Sequence, residues 1–454
     1  MSHITPNPGE TGIGEESALR HLAEAELLAS NVSGNATPRA VGRVAVIGAG
    51  TMGSGIAISL ANAGLTVDLL EQTAEAAAAG ARRVRDLYQA RVKSGRLTEA
   101  DVAERLARIH AGDDWTVVAA ADLIIEAAFE DMAVKATIFS RLDQLARPGA
   151  VIATNTSYLD VNAIANMTTR PGDVLGLHFF SPAHVMRLLE VVQTEWTAPD
   201  VLATGIALGH RIGKLPIVAR VCDGFIGNRI FAVYRRHAEY LLEDGASSQE
   251  IDDALRAHGF AMGPFAVSDM SGLDIAWAMR KRRAAGRDPG ERYVSIPDRL
   301  CEAGRLGRKA GRGWYNYEDG KARPAPEVDA IVTQERERLG VQPEHFTAEH
   351  IQRRILAVMA NEGARVLAEG ISLRPSDIDL VFVNGYGFPR LKGGPMFAAD
   401  QRGLANVLAD VEEAARIGGV GSKPAPLLVQ LACEQSSFAE WQASQLRKET
   451  ERDA

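Results

Sequence analysis

Residues 44–55 constrain the fold of this chain more than any other stretch. Four consecutive apolar residues, 44–47, precede Gly48, Gly50 and Gly53, which have the spacing G-x-G-x-x-G. A short apolar run predicts a buried parallel strand, and apolar residues at helical spacing follow the third glycine. The stretch therefore predicts a strand, a phosphate-binding turn and a helix.

Each of the three glycines has a separate structural role in a dinucleotide-binding turn. Gly48 permits a tight turn, Gly50 lets a pyrophosphate approach the main chain, and Gly53 lets the helix pack on the strand. Glu71 follows the next apolar run, 18 residues after Gly53, where a carboxylate accepts hydrogen bonds from the adenosine ribose. Its charge would repel a 2′-phosphate and no Arg follows directly, so NAD is favoured over NADP. FAD is the main alternative.

Length and composition limit the class of protein. A chain of 454 residues is too long for one core and predicts two to four domains. The net charge of −8 argues against a general nucleic-acid binder. Three widely spaced cysteines, Cys222, Cys301 and Cys433, imply neither a disulfide framework nor a zinc site. Since no apolar run has the length of a membrane span and no targeting signal is found, we expect a cytoplasmic protein that binds neither membrane nor metal.

The first 40 residues are predicted to be a tail and one helix. Residues 1–14 are polar and rich in Gly and Pro, which predicts a mobile segment. Residues 17–30 predict a helix, and residues 31–39 a linker. The predicted apolar stripe of this helix consists of Leu19, Leu22, Ala23, Leu27 and Leu28. Such a helix ordinarily docks on the domain that follows it.

Apolar strands alternate with helical segments from residue 41 to residue 220. This pattern predicts an α/β Rossmann-like, doubly wound sheet. The predicted strands are 44–47, 66–71, 123–128, 150–154, 174–180 and 188–192, with helical segments at 74–91, 98–109 and 134–145.

From residue 221 the apolar period becomes helical and the sequence repeats. Residues 228–233 and 241–245 correspond to 353–358 and 366–370 at a constant offset of 125. Farther along, Gly263-Pro264 matches Gly394-Pro395. We therefore expect two copies of one all-α module, residues 221–320 and 321–454.

Three polar side chains lie in or directly after predicted strands. Ser157 follows one strand, and His178 and Glu190 lie inside two others. Each alone is most simply a structural residue. Because strand ends line the ligand crevice of a doubly wound sheet, the group together predicts a reaction site. A histidine beside a buried carboxylate is suited to act as a general base that removes a hydroxyl proton.

At these positions the chain resembles the L-3-hydroxyacyl-CoA dehydrogenases over about residues 40–445. The matching motifs are residues 46–53, 155–157, 178–182, 189–191 and 224–229. The resemblance implies that His178 is the base, that Glu190 orients it, and that Ser157 and Asn228 bind the substrate oxygen. It also implies an NAD site, whose residues are Gly48, Gly50, Thr51, Met52, Gly53, Glu71, Glu130, Lys135 and Lys309.

Further motifs, at 178–186, 262–269 and 385–396, look like the dehydrogenase half of bifunctional, peroxisomal-type β-oxidation enzymes. In those enzymes an enoyl-CoA hydratase domain precedes a linker helix, to which residues 17–30 are similar. Hydratase activity is expected to be absent, and a separate hydratase is a candidate partner. Arg353 replaces the Asn228 equivalent in the second copy, so that copy is expected to be non-catalytic. Its internal pairing with the first copy makes a monomer as plausible as a homodimer.

The expected reaction is NAD-dependent, reversible oxidation of (S)-3-hydroxyacyl-CoA to 3-oxoacyl-CoA. Arg91, Lys93 and Arg96 lie where the family binds the CoA nucleotide, although a solvated basic face explains them equally well. Two alternatives stay open: a dehydrogenase of a dicarboxylic hydroxyacyl-CoA or free hydroxy acid, and a non-catalytic NAD-binding assembly protein.

Overall fold

The computed structural model describes residues 13–30, 36–418 and 422–453. It divides into two compact units. The sheet unit comprises Ala23–Asn228 with Gly370–Leu373, and the helical unit comprises Met1–Leu22, Arg229–Glu369 and Arg374–Ala454. The predicted mobile tail, up to residue 12, and residues 31–35 of the predicted linker lie outside the described residues.

The sheet unit is built on eight strands in the order β3-β2-β1-β4-β5-β6-β7-β8, counted over the described residues. Neighbouring strands are parallel except β6 and β7. The strands are β1 Arg43–Ile47, β2 Thr66–Leu70, β3 Ile109–Gly112, β4 Leu123–Glu126, β5 Val151–Thr154, β6 Val174–Phe179, β7 Leu188–Gln193 and β8 Leu215–Arg220. The doubly wound fold predicted from the sequence is confirmed.

Helices cover both faces of this sheet, which is why its central strands are apolar on both sides. These helices are α2 Thr51–Asn62, α3 Ala74–Lys93, α4 Glu99–Leu106, α5 Met132–Leu145, α6 Val161–Ala165 and α7 Pro199–Arg211. Val46 faces a core formed with α2, α3, α4 and α7, and its neighbour Ile47 faces a core formed with α5 and α6. The alternation of side chains along β1 therefore supplies both cores.

Three details of the sheet differ from the sequence prediction. The helix predicted over 98–109 ends at Leu106, and Ile109 instead begins β3, which pairs with β2. Strand β8 is not among the predicted strands. Strand β7 runs antiparallel to β6 because the eight residues that join them are too few for a parallel crossover.

The helical unit contains a repeated order of helices and one small hairpin. Its elements are α8 Gly227–Asp244, α9 Ser248–His258, α10 Pro264–Ser271, α11 Leu273–Arg283, α12 Ile296–Glu302, β9 Asn316–Glu318, β10 Lys321–Arg323, α13 Pro326–Leu339, α14 Ala348–Ala368, α15 Pro375–Gly385, α16 Pro395–Arg402, α17 Leu404–Gly418, α18 Pro426–Cys433 and α19 Phe438–Asp453. Among the described helices, none is long and apolar enough to cross a membrane.

The repeated sequences also share their hydrogen bonds. Asp252 accepts from the two backbone N–H groups that follow Pro264, both at 3.0 Å, and Asp379 accepts from the two that follow Pro395, the shorter bond being 2.7 Å. Both carboxylates thus cap the N-terminus of the next helix, where the helix dipole favours negative charge. These contacts support the proposal of two copies of one module.

A second carboxylate repeats in the same way. Asp269 in α10 accepts from two successive backbone N–H groups beginning at Trp314, at 2.8 and 3.0 Å. Asp400 in α16 accepts from two beginning at Phe438, also at 2.8 and 3.0 Å. Burial raises the pKa of both side chains, that of Asp400 to about 6. In each copy this carboxylate therefore fixes a segment distant in sequence, the residues before β9 in the first copy and the start of α19 in the second.

Asp252 should give the helical unit a measurable dependence on pH. It is fully buried, and burial raises its pKa to about 6, above the value of about 3.9 in unfolded chains. The folded state thus binds this proton more tightly, so the stability that it contributes is complete below about pH 4 and is lost as pH rises through 6. The Asp252→Asn variant lacks this carboxyl group and should not show the loss. Relative to wild type, its free energy of unfolding should therefore increase by up to about 3 kcal/mol on going from pH 4 to pH 7.

Chemical denaturation at the two pH values measures this difference. Asp253→Asn, one residue away on the exposed face, is the matched control and should leave the pH dependence unchanged. An equal offset between Asp252→Asn and wild type at both pH values would contradict the assignment.

The N-terminal helix α1, Ile13–Ser30, forms as predicted but buries a different stripe. The buried side chains are Ala18, Leu22, Ala25 and Ala29, whereas the predicted stripe residue Leu27 is 68% exposed. Small residues lie on the buried face because they permit close packing. Within the helical unit, His21 Nε2 lies 2.8 Å from Asp379 Oδ2. Within the sheet unit, the Arg187 guanidinium donates to both carboxylate oxygens of Glu26, at 2.6 and 2.7 Å.

Candidate active site

The sheet reverses its winding direction between β1 and β4. From β1 the chain builds β2 and β3 on one side, and then returns to place β4 on the other. Ligands of doubly wound sheets bind outside the carboxyl ends of the strands at such a reversal. The glycine-rich turn follows β1 directly, and the predicted reaction residues follow or lie in strands on the β4 side.

The glycine-rich turn has the geometry of a phosphate cradle. Gly48 has φ of +99°, and a Cβ on it would lie 2.8 Å from the Ala127 carbonyl oxygen. A Cβ on Gly53 would lie 1.8 Å from the Gly48 oxygen, so neither position accepts another residue without rearrangement. A Cβ on Gly50, in contrast, meets no atom within 4 Å. The open space lies over the second glycine, at the N-terminus of α2, where a pyrophosphate would bind.

Glu71 is held beside this turn. Its Oε1 accepts a hydrogen bond of 2.7 Å from the Ala49 backbone N–H, so the carboxylate at the end of β2 and the glycine-rich turn form one surface. Thr51 and Met52 form the first turn of α2. The structure thus brings the predicted adenosine-side residues together, as the spacing indicates.

A buried ion pair lies at the end of β4. Glu126 is fully buried and Lys135 is 1% exposed; the Lys135 ammonium donates to Glu126 Oε1 at 2.7 Å. The same oxygen accepts the Ala128 N–H, and Oε2 accepts the Thr154 hydroxyl, both at 2.7 Å. Glu126 is absent from the predicted site, although a glutamate ending an otherwise apolar strand is a signal that could have indicated it.

Glu130 organises the turn that carries Ser157. Its Oε1 accepts from the Thr156 hydroxyl at 2.6 Å and from the backbone N–H groups of Ser157 and Tyr158 at 2.9 and 3.1 Å. Its Oε2 lies 3.7 Å from the Lys135 ammonium. Glu130 and Lys135 are predicted to contact the cofactor, and Ser157 is predicted to contact the substrate. The structure places these three residues next to one another.

His178 and Glu190 face each other on β6 and β7. The antiparallel register pairs them directly, and His178 Nδ1 lies 2.7 Å from Glu190 Oε2. His178 is 4% exposed and Glu190 fully buried. Because a carboxylate only accepts hydrogen bonds, this contact places the proton of the neutral ring on Nδ1 and leaves Nε2 with a lone pair.

The second oxygen of Glu190 binds the start of α8. Its Oε1 accepts the backbone N–H groups of Ile226 and Gly227 at 3.2 and 3.0 Å. Asn228 is the next residue, so the carboxylate that fixes His178 also fixes the segment that carries Asn228. Rings of Phe180 and Phe225 pack against the imidazole with centroids 4.5 and 5.6 Å away.

The remaining predicted residues lie on other elements. Lys309 is exposed and lies in a 3-10 turn, Arg308–Ala310, of the helical unit. Arg91 and Lys93 lie in the last turn of α3, and Arg96 follows that helix. Their proposed contacts with the cofactor and with CoA stay predictions.

The fold and this site together define a class of protein. A glycine-rich turn at the sheet reversal, an acid at the end of β2, and a buried histidine–carboxylate pair on adjacent strands are the arrangement of a dinucleotide-dependent dehydrogenase.

Comparison with known proteins gives the family. The family model described as "3-hydroxyacyl-CoA dehydrogenase, NAD binding domain" matches residues 43–222, and "3-hydroxyacyl-CoA dehydrogenase, C-terminal domain" matches 224–317. The chain therefore belongs to the 3-hydroxyacyl-CoA dehydrogenase family, and NAD is its dinucleotide. The open alternative of FAD is thereby removed.

The chain is similar to longer curated proteins and to solved structures. It is 42% identical over 392 residues to the peroxisomal bifunctional enzyme of Danio rerio, covering 83% of this chain and 54% of that protein. The chain spans about half the length of such relatives. The crystal structure of 3-hydroxybutyryl-CoA dehydrogenase from Escherichia coli K12 has a TM-score of 0.75 at 27% identity, covering 87% of this chain and 99% of that one. The dehydrogenase part of multifunctional enzyme 1 from C. elegans has a TM-score of 0.66 at 28% identity, covering 90% and 96%.

Proposed function

We propose that this chain catalyses the reversible, NAD-dependent oxidation of (S)-3-hydroxyacyl-CoA to 3-oxoacyl-CoA. The observation that carries the proposal is the buried pair of His178 and Glu190, joined at 2.7 Å in a sheet that carries the family's NAD-binding turn. An alcohol oxidation of this kind needs one base for the hydroxyl proton. When bound, NAD⁺ supplies the acceptor for the hydride that leaves C3 of the substrate.

His178 acts as the base through Nε2, the ring nitrogen that does not contact Glu190. As the proton arrives, Glu190 stabilises the imidazolium and keeps the ring in one orientation. The two backbone N–H groups on Oε1 hold Glu190 in turn. In the reverse direction, the same imidazolium returns the proton to the substrate oxygen.

Ser157 and Asn228 donate hydrogen bonds to the substrate C3 oxygen. Each of these residues lies on a segment that a glutamate fixes through a backbone hydrogen bond. Glu130 accepts the Ser157 N–H, and Glu190 accepts the N–H of Gly227, which precedes Asn228. Donors fixed in this way need little reorganisation as charge develops on the oxygen. Lys135 and Lys309 are proposed to contribute to the cofactor site.

Partner and compartment are proposals as well. The bifunctional name of the Danio rerio relative supports a separate enoyl-CoA hydratase as partner. The sequence predicts the cytoplasm, whereas that relative is named peroxisomal, so the cytoplasmic prediction has no support from the comparison. A monomer and a homodimer both stay open.

Oxidation of NADH by acetoacetyl-CoA tests the proposed reaction. We expect turnover with this thioester and at least about tenfold lower activity with NADPH, because Glu71 would repel the 2′-phosphate. Free acetoacetate is the control and should not react. Turnover with free acetoacetate, or with dicarboxylic thioesters only, would move the assignment to the alternative substrates. Binding of NADH without any turnover would favour the non-catalytic alternative.

A further inference from the structure

The second helical copy contains a large cavity that the proposed reaction does not use. Its volume is about 790 Å³, within the range of small-molecule sites. Its apolar lining comes mainly from α14, α16 and α17 and includes Leu356, Phe397 and Val407. The first turn of α1 contributes Gly14 and Glu15. All of these residues belong to the helical unit.

The cavity lining contains three cationic side chains and two carboxylates. Lys392, Arg353 and Arg402 contribute positive charge, and Glu15 and Glu349 contribute negative charge. Behind them, Asp410 of α17 binds Arg402 at 2.6 Å and lies 3.8 Å from Arg353. The Lys392 ammonium pairs with no carboxylate in the part of the chain that the structure describes. The cavity thus joins an apolar lining to an exposed ammonium that forms no ion pair with the lining carboxylates Glu15 and Glu349.

Two lining residues hold buried nitrogen atoms without partners. Within the described residues, Arg353 Nε and His258 Nε2 are buried and make no hydrogen bond. Burial and the nearby Lys392 lower the pKa of His258, so its ring is neutral at physiological pH. A buried polar atom without a partner costs stability. Arg353 Nε is a donor, and an acceptor bound in the cavity would satisfy it after a small rotation of the side chain.

The two copies of the module differ at the cavity lining. At the offset of 125 residues, Leu356 corresponds to Phe231 and Arg353 to Asn228. In the first copy the Phe231 ring packs against Tyr234 and Tyr386 with centroids 5.3 and 5.2 Å away. Leucine at the equivalent position is smaller, and the guanidinium replaces an amide. The second copy therefore gains space and positive charge at the same helix face.

We propose that this cavity binds one medium-chain fatty carboxylate, with its tail against Leu356 and Phe397 and its head group at Lys392 and Arg353. The site is non-catalytic, since neither His178 nor the glycine-rich turn belongs to it. An apolar lining with two cationic side chains at its rim, Lys392 and Arg353, selects an anionic amphiphile over a neutral or a cationic one of equal length. The proposal does not depend on the proposed reaction.

Calorimetric titration with decanoate tests the site. The active site is first filled with NAD⁺ and acetoacetyl-CoA, two oxidised partners that cannot react with each other. We expect one decanoate per chain under these conditions and a raised melting temperature. Decylamine and decanol are comparators, and both should bind at least about tenfold more weakly. Equal binding of all three, or no binding of decanoate, would overturn the proposal.

Two variants locate the binding. Leu356→Trp should obstruct the position proposed for the tail and weaken decanoate binding by at least about tenfold, while turnover, if present, is retained. Lys392→Met should weaken decanoate binding by about tenfold and leave decanol binding unchanged. Lys321→Met, on the exposed strand β10, is the matched control and should bind like wild type. Unchanged decanoate affinity in either cavity variant would overturn the proposal, and Lys392→Met decides the question if Leu356→Trp fails to fold.

Discussion

Replacement of His178 by alanine should lower kcat for acetoacetyl-CoA by about 10²–10⁴-fold, the usual contribution of one general acid–base group. The loss is expected because Nε2 is the proposed base and Glu190 is fully buried, so that it is not available to take over the proton. NADH affinity should be retained, since the glycine-rich turn and Glu71 form a separate contact surface. Steady-state kinetics and fluorescence titration of NADH measure the two quantities.

His110→Ala is the matched control for this experiment. His110 is an exposed residue of β3, and its removal should leave kcat unchanged. A His178→Ala variant with normal turnover would exclude His178 from proton transfer. A variant that lost NADH binding in parallel with turnover would instead indicate a structural role for the ring.

Replacement of Lys135 by methionine should destabilise the sheet unit by about 3–5 kcal/mol, the cost of breaking a buried ion pair from one side. Glu126 is fully buried, so without the ammonium its charge is left with the Thr154 hydroxyl and the Ala128 N–H as its partners among the described residues. Urea denaturation followed by circular dichroism measures the loss. NADH affinity should also fall, because this pair lies at the end of β4 beside the proposed cofactor site.

The double variant Lys135→Met/Glu126→Gln separates charge from packing. With both charges removed, we expect most of the lost stability to return, because burial of a neutral amide costs far less than burial of an unpaired carboxylate. Lys93→Met, at the exposed end of α3, controls for the loss of a lysine as such. A double variant as unstable as Lys135→Met alone would show that the methionine packs badly.

Much of the sheet could be predicted because local pattern and tertiary burial agree there. Strands β1, β2, β4, β5, β6 and β7 are apolar runs bounded by turn residues, and burial on both faces demands that composition. Strand β3 escaped prediction because it is only four residues long, lies at the sheet edge and has no fully buried residue, so it lacks the long apolar run of the central strands. In α1 the prediction from the leucines was only partly right, because Leu22 is buried together with Ala18, Ala25 and Ala29.

The candidate site divides in the same way. The glycine-rich turn, Glu71, His178 and Glu190 are recognisable because each is unusual in its local surroundings. Glu126 was missed although it contacts Lys135, a residue that the resemblance did identify. Contacts that join β4 to α5, or β7 to α8, connect residues far apart in the chain, and no local pattern encodes them.

The sequence by itself determined the dinucleotide-binding turn and the preference for NAD, because these depend on the spacing of residues within short segments. Its motifs also carried the resemblance to the family. Only the tertiary structure decided that β7 reverses direction and thereby places Glu190 opposite His178, and that Asp252 and Asp379 cap equivalent helices. It also decided that Leu356, the residue of the second copy that corresponds to Phe231 of the first, lines a cavity. The reason is physical: hydrogen bonds, charge pairing and packing volume act between groups that meet only when the chain is folded.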